Sequence, residues 1–174
     1  MSRKPDFVWK IILLGDTAVG KTSLVQRYVY DTFNQDAGRT IGAILHVKTI
    51  NLKGRTYKLV IWDLGGEESF SELREQYCQH ASGAIFVFDT TCPETLQNID
   101  IWLSALHSGA GRVPVIMVEN KIDLETKIPR KQVQEAQSPD TIKLVRTSAL
   151  EDRNVDDAFH DLVRAISIKA VAQG

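Results

Sequence analysis

The sequence predicts an α/β domain: a mostly parallel, six-stranded sheet with one antiparallel edge strand and helices on both faces. Three observations carry this. Apolar runs alternate with helix-period segments along the whole chain. Two of those runs, AIFVFD and VPVIMVE, are apolar almost throughout, as expected of parallel strands covered on both faces. One pair of alternating runs is joined by a tight turn, which makes a hairpin and supplies the antiparallel edge.

In chain order, FVWKIILLG reads as a strand and KTSLVQRYV as the helix it feeds. ILHVKTINL and TYKLVIWD alternate around KGR and form the hairpin. AIFVFD is the next strand, and PETLQNIDIWLSALH sets Leu96, Ile99, Trp102, Leu103 and Leu106 on one helical stripe. VPVIMVE and TIKLVRTS complete the sheet. Val155, Phe159, Leu162 and Ile166 repeat at helical spacing in the closing segment, with Asn154 as its N-cap. No repeat or linker interrupts the pattern, and 174 residues at 43% hydrophobic suit one domain spanning residues 1–174.

Composition excludes several function classes. A net charge of −1 gives no basic balance for nucleic acid or an anionic membrane. Cys78 and Cys92 are too few for a disulfide framework and too far apart for a metal knuckle, so two reduced, buried thiols are expected. The four histidines are scattered, which argues against a zinc site. MSRKPDF lacks the apolar segment of a secretory signal, and Ser2 is not an N-myristoylation acceptor. No stretch is long enough to span a bilayer, so a cytoplasmic protein is expected.

Ligands on such sheets bind beyond the carboxyl ends of the strands, so functional residues should follow strands. Gly15-x4-Gly20-Lys21-Thr22 does so and opens a helix. Glycines there let backbone N–H groups cradle the α/β-phosphates; Lys21 reaches the β/γ-phosphates, and the Thr22 hydroxyl suits Mg²⁺. After the fifth strand comes Asn120-Lys121-x-Asp123. A carboxylate only accepts, so Asp123 can take guanine's N1–H and C2 amino group together, whereas adenine would leave it unpaired. Alone that string also fits a surface loop; behind a phosphate loop it specifies the base. WDLGGEE ends the third strand, with Asp63 placed to hold Mg²⁺ through water and Gly66 able to bring a backbone N–H to the γ-phosphate. Thr40, in NQDAGRT, offers a hydroxyl to the same ion, and TSAL brings backbone groups around Ser148 and Ala149 toward the base.

The set GDTAVGKT, Thr40, D-x-x-G, NKID and TSAL, in this order and spacing, resembles the Ras-superfamily small GTPases over nearly the whole chain. KLVIWD, YCQHASGAIFVFD and NIDIWLSAL look most like the Rab branch. The resemblance implies a P-loop NTPase G domain and a GTP/GDP switch whose loops around Thr40 and Gly66 are held by the γ-phosphate and released on hydrolysis. It implies nucleotide contacts from Gly15, Thr17, Ala18, Val19, Gly20, Lys21, Thr22, Ser23, Phe33, Thr40, Gly66, Asn120, Lys121, Asp123, Ser148, Ala149 and Leu150. Mg²⁺ would sit on Thr22, Thr40 and Asp63, and catalysis would rest on Glu67, Lys21 and Gly66. Phe33 matches the family's aromatic that packs edge-on against guanine; a core aromatic at a helix end is the other reading. An exchange factor, an activating protein and effectors would meet the loops around Thr40 and Gly66.

The chain also departs from that pattern. Glu67 stands at the catalytic glutamine position and Ala37 at the switch aromatic that covers the γ-phosphate. IGAIL replaces the Rab-type IGVDF, and Leu150 replaces a lysine whose stem lies along the base. Thr17 and Ala18 narrow the space over the γ-phosphate. Arg39 reads as a solvated loop charge rather than an arginine finger supplied in cis. The sequence ends AVAQG without a cysteine for a prenyl anchor, so no membrane anchor is expected in this chain, and peripheral membrane association would need a lipidated tail. Slow GTP hydrolysis is the expectation. A GTP-bound scaffold that barely hydrolyses is one rival, favoured by Glu67, Thr17 and Ala37. A P-loop kinase is another, and it would need an arginine-bearing lid that the sequence does not offer.

Overall fold

The computed structural model describes residues 3–68 and 71–174; Met1 and Ser2, on which part of the N-terminal reading rests, lie outside them. The sheet has six strands in the order β2-β3-β1-β4-β5-β6. These are β1 Phe7–Leu14, β2 Ala43–Leu52, β3 Arg55–Leu64, β4 Gly83–Asp89, β5 Val115–Asn120 and β6 Thr141–Arg146. Among the described residues only β2, at one edge, runs antiparallel to its neighbour. The expected architecture is thus the observed one. β2 and β3 are joined by Lys53 and Gly54 alone, both left-handed with φ of 50° and 77°. That two-residue reversal matches the twist of the paired strands.

Among the described residues six helices cover the sheet: α1 Lys21–Tyr30, α2 Ser71–Cys78, α3 Pro93–Gln97, α4 Ile99–Ala110, α5 Arg130–Glu135 and α6 Val155–Gln173. One apolar cluster joins α1 and α6 to the sheet through Leu24, Tyr28, Phe159 and Leu162. The other joins α2, α4 and α5 to the opposite face through Cys78, Trp102, Leu106 and Val133. Between these layers every residue of β4 and β5 is buried, which is why those strands show no alternation. Among the described residues no helix is long and apolar enough to cross a membrane.

Some local expectations need correction. PETLQNIDIWLSALH is two helices rather than one, broken at Asn98, although all five stripe residues are buried. At the break Asn98 reaches the phosphate loop, its Nδ2 donating to Asp16 at 2.7 Å. Asn154 precedes α6 but makes no side-chain cap; it adopts a left-handed φ of 59°, and its Nδ2 donates to the Arg146 carbonyl at 2.8 Å. Cys78 is buried as expected, but Cys92 is only half-buried; both are free thiols. The short helices α2 and α5 are too brief and polar to stand out in the sequence.

Candidate functional site

Because five strands run in parallel, Gly15, Asp63, Asp89, Asn120 and Thr147 all arrive at one rim of the sheet. A cleft of about 590 Å³ opens there. At its floor the loop from Gly15 to Gly20 turns through left-handed φ values of 144°, 68° and 100° at Gly15, Ala18 and Gly20. Gly15 has no alternative: a Cβ would stand 2.3 Å from the Val87 carbonyl oxygen of the neighbouring strand. Val19 turns its side chain fully into the core, so only its backbone is available to a ligand.

Lys21 opens α1 and is almost wholly buried, with Nζ donating to the carbonyls of Gly15 at 2.6 Å and Asp16 at 2.8 Å. Burial pulls its pKa down to about 8, against the attraction of Asp63 and Asp16. Beside it Thr22 Oγ1 donates to Asp63 Oδ2 at 2.6 Å and lies 2.6 Å from Thr40 Oγ1. Since Thr22 has a single hydroxyl proton, Thr40 is the donor in the second contact. Asp63 is fully buried, which raises its pKa against the opposing hydrogen bond from Thr22 and the charge of Lys21. Its Oδ1 is buried with no hydrogen-bond partner among the described residues. Two hydroxyls and a carboxylate with an unused oxygen make a set of hard donors suited to Mg²⁺.

At the other end of the cleft, Ser148 Oγ donates to Asp123 Oδ1 at 2.7 Å and fixes that carboxylate in the wall. Asn120 and Lys121 do different work from Asp123. Asn120 Nδ2 donates to the Val19 carbonyl at 3.0 Å while its Oδ1 accepts from Thr147 Oγ1 at 2.9 Å. Lys121 pairs with Asp89 at 2.8 Å and donates to the Ala18 carbonyl at 2.7 Å. Both tie this loop to the phosphate loop. Arg27 donates to the carbonyls of Ala149 at 2.9 Å and Leu150 at 3.2 Å, anchoring the TSAL segment to α1. Phe33 lines the cleft and also packs on the edge of the core.

The sequence-predicted residues therefore converge, with differences of depth. Thr17, Ala18, Gly20, Lys21, Thr22, Ser23, Phe33, Thr40, Gly66, Asn120, Lys121, Asp123, Ala149 and Leu150 form the wall. Gly15, Val19, Asp63 and Ser148 stand behind it and shape or brace it. Gly66 lies hard against the phosphate loop, where a Cβ would meet the Thr17 nitrogen at 2.3 Å. Glu67 sits at the rim, its Oε1 accepting from Arg39 Nη1 at 3.2 Å. Arg39 is thus a loop charge, 74% exposed, that bridges the loop before β2 to the loop after β3.

Residues 10–168 match the Ras family. The chain belongs to that family. It is similar to Ras-related protein Rab-13 of Rattus norvegicus, 34% identical over 97% of this chain and 85% of the relative. It is also similar to Ras-related protein RABA4b of Arabidopsis thaliana, 34% identical over 95% of this chain and 75% of the relative. Ras-related protein Rab11D of Nicotiana tabacum is 35% identical over 91% of this chain and 72% of the relative. This Ras-family chain is a Rab-like small GTPase, a GTP-binding switch that hydrolyses GTP to GDP.

Three supports of this Ras-family site escaped the sequence reading. Asp16 accepts from both Asn98 Nδ2 and Trp102 Nε1, the latter at 2.8 Å, so the phosphate loop is bolted to α4. The apolar stripe had disclosed Trp102 as core, but its indole N–H gave no sign of a partner 86 residues away. Arg74 of α2 lies over the Trp102 ring at 3.9 Å and donates to the Glu67 carbonyl at 3.2 Å. Glu119, buried in β5, is the third, with Thr90, Arg130 and Arg146 around its carboxylate.

Proposed function

We propose that the cleft holds GTP or GDP with guanine at Asp123 and the polyphosphate at the loop from Gly15 to Thr22. One observation supports this above the rest: the Ser148–Asp123 pair and the buried Lys21 ammonium stand at opposite ends of a single cleft. An acceptor-only carboxylate at one end and a cation beside a glycine-bent loop at the other fit a guanine nucleotide. The residues 1–174 are read as one G domain, since both apolar clusters share the same sheet.

Mg²⁺ is assigned to Thr22, Thr40 and Asp63, supported by the hydroxyl–carboxylate cluster and the unused Asp63 Oδ1. Bound there, it would neutralise charge on the β- and γ-phosphate oxygens. The chain's own groups do the rest. Lys21 holds the phosphates, and the Gly66 N–H offers a donor to the γ-phosphate. The Glu67 carboxylate orients the attacking water by accepting its hydrogen bond. Its negative charge beside the γ-phosphate makes intrinsic hydrolysis slow. The loops around Thr40 and Gly66 are the proposed meeting place for an exchange factor, an activating protein and effectors. A role in membrane trafficking in the cytoplasm fits the Rab-like sequence and the two free thiols.

The test is base choice. Asp123→Asn should weaken GTP binding and favour xanthosine triphosphate, because an amide can donate to xanthine's C2 carbonyl where a carboxylate repels it. Retained preference for GTP in that variant would sink the assignment. A scaffold with negligible hydrolysis is the second reading, favoured by the Glu67 carboxylate itself, and hydrolysis measurements decide between them.

A further inference from the structure

Glu119 is a carboxylate with no exposed surface, in a strand whose other residues are buried and mostly apolar. Strand alternation directs it to the face opposite Asn120, away from the cleft. Burying such a charge is unfavourable unless it is paired and hydrogen-bonded, and here both oxygens are engaged. Oε1 accepts from Thr90 Oγ1 at 2.7 Å and Arg130 Nη2 at 2.5 Å. Oε2 accepts from Arg130 Nη1 at 2.7 Å and Arg146 Nε at 3.1 Å. Burial pushes this carboxyl's pKa up, but the bonds from Arg130 and Thr90 and the two guanidinium charges more than offset it and leave it below its ordinary value.

The partners come from three separate stretches: Thr90 follows β4, Arg130 opens α5 and Arg146 ends β6. Thr90, Arg146 and Glu119 itself are each next to a group that braces the base end of the cleft. Asn120 follows Glu119 directly. Thr90 follows Asp89, which holds Lys121, and its N–H donates to the Asn120 carbonyl at 3.1 Å. Arg146 precedes Thr147, whose hydroxyl holds Asn120, and Ser148, which holds Asp123. A single carboxylate therefore joins the ends of β4, β5 and β6 and the start of α5 beside Asp123.

We propose that Glu119 is a positioning residue for base recognition: by clamping Thr90, Arg130 and Arg146 it fixes the Ser148–Asp123 pair and sets discrimination for the C2 amino group of guanine. This rests on the placement of guanine at Asp123. It differs from a merely structural ion pair, which would support all nucleotides equally.

The test compares affinities for GDP and for inosine diphosphate, which lacks the C2 amino group, in wild type and Glu119→Gln. Gln keeps the shape and the Thr90 contact, and both arginines are about half exposed, so they can rehydrate when the carboxylate is lost. Wild type should prefer GDP by at least about tenfold, the scale of one hydrogen bond to a charged group. In Glu119→Gln that preference should collapse to within about threefold, with GDP dissociating at least about tenfold faster. Arg146→Gln leaves the carboxylate paired with Arg130, preserves folding, and should show the same narrowing on a smaller scale. Equal weakening of both nucleotides, with the ratio unchanged in either variant, overturns the proposal alone. A wild type that fails to distinguish the two nucleotides overturns the base assignment and the proposal with it.

Discussion

Replacing Glu67 by glutamine removes one negative charge from the rim of the cleft while keeping an oxygen that can orient water. At about 6 Å from a γ-phosphate, with an effective dielectric near 20, the carboxylate contributes roughly 3 kcal/mol of repulsion per unit charge. Arg39 lies against it at 3.2 Å. Its guanidinium belongs to a residue that lines the cleft and returns attraction to the same phosphate. Glu67→Gln removes that repulsion and leaves the attraction of Arg39 in place, so single-turnover GTP hydrolysis should speed up, by at most about a hundredfold. Arg39 is 74% exposed, so solvent screens its share. Arg39→Ala should therefore slow hydrolysis only about two- to fivefold, and less at high salt. Phosphate release from GTP-loaded protein, at low and high ionic strength, measures all three. A Glu67→Gln rate below wild type would show that the carboxylate is a needed base and that the repulsion argument is wrong. A Glu67→Ala rate equal to wild type would make Glu67 a bystander. Wild-type hydrolysis at the solution background would establish the scaffold reading.

Thr22→Asn should impair Mg²⁺-dependent GTP binding more than GDP binding, since the hydroxyl matters most with the γ-phosphate present; equal loss for both would point to misfolding. Asn120→Ala strips partners from the Val19 carbonyl and the Thr147 hydroxyl, both in buried contacts. At about 1–3 kcal/mol for each buried group left unpaired, urea denaturation should show a loss of about 2–6 kcal/mol, and a loss under about 1 kcal/mol would contradict the bracing role. Glu119 has a folded-state pKa below its ordinary value of 4.5, so its contribution is fully present above pH 4.5 and fades as pH falls through the lower value. Wild-type stability should thus fall more steeply below pH 4.5 than that of Glu119→Gln, and parallel pH curves for the two proteins would refute this.

The strands β4 and β5 and the hairpin were legible because burial on two faces, or on one, writes itself into a strand as continuous or alternating apolar residues. The phosphate loop was legible because its chemistry is local: a turn with three left-handed residues, a lysine and a hydroxyl within eight positions. The division of labour within Asn120-Lys121-x-Asp123 was not, since spacing cannot say which side chain faces the ligand and which braces the loop. Nor could the stripe on α3 and α4 reveal the break at Asn98, because the apolar spacing continues across it while the backbone turns toward Asp16.

The sequence by itself determined the sheet, its single antiparallel edge, the family and the residues that converge on one cleft, because each is encoded in short-range periodicity or in a motif a few residues long. Only the tertiary structure decided how those residues are held. Asp16 meets Trp102, Arg39 meets Glu67, and Glu119 gathers Thr90, Arg130 and Arg146. Hydrogen bonds and ion pairs act over about 3 Å of space whatever the separation along the chain. A side chain's partner is therefore fixed by where the folded elements bring it, which no local pattern records.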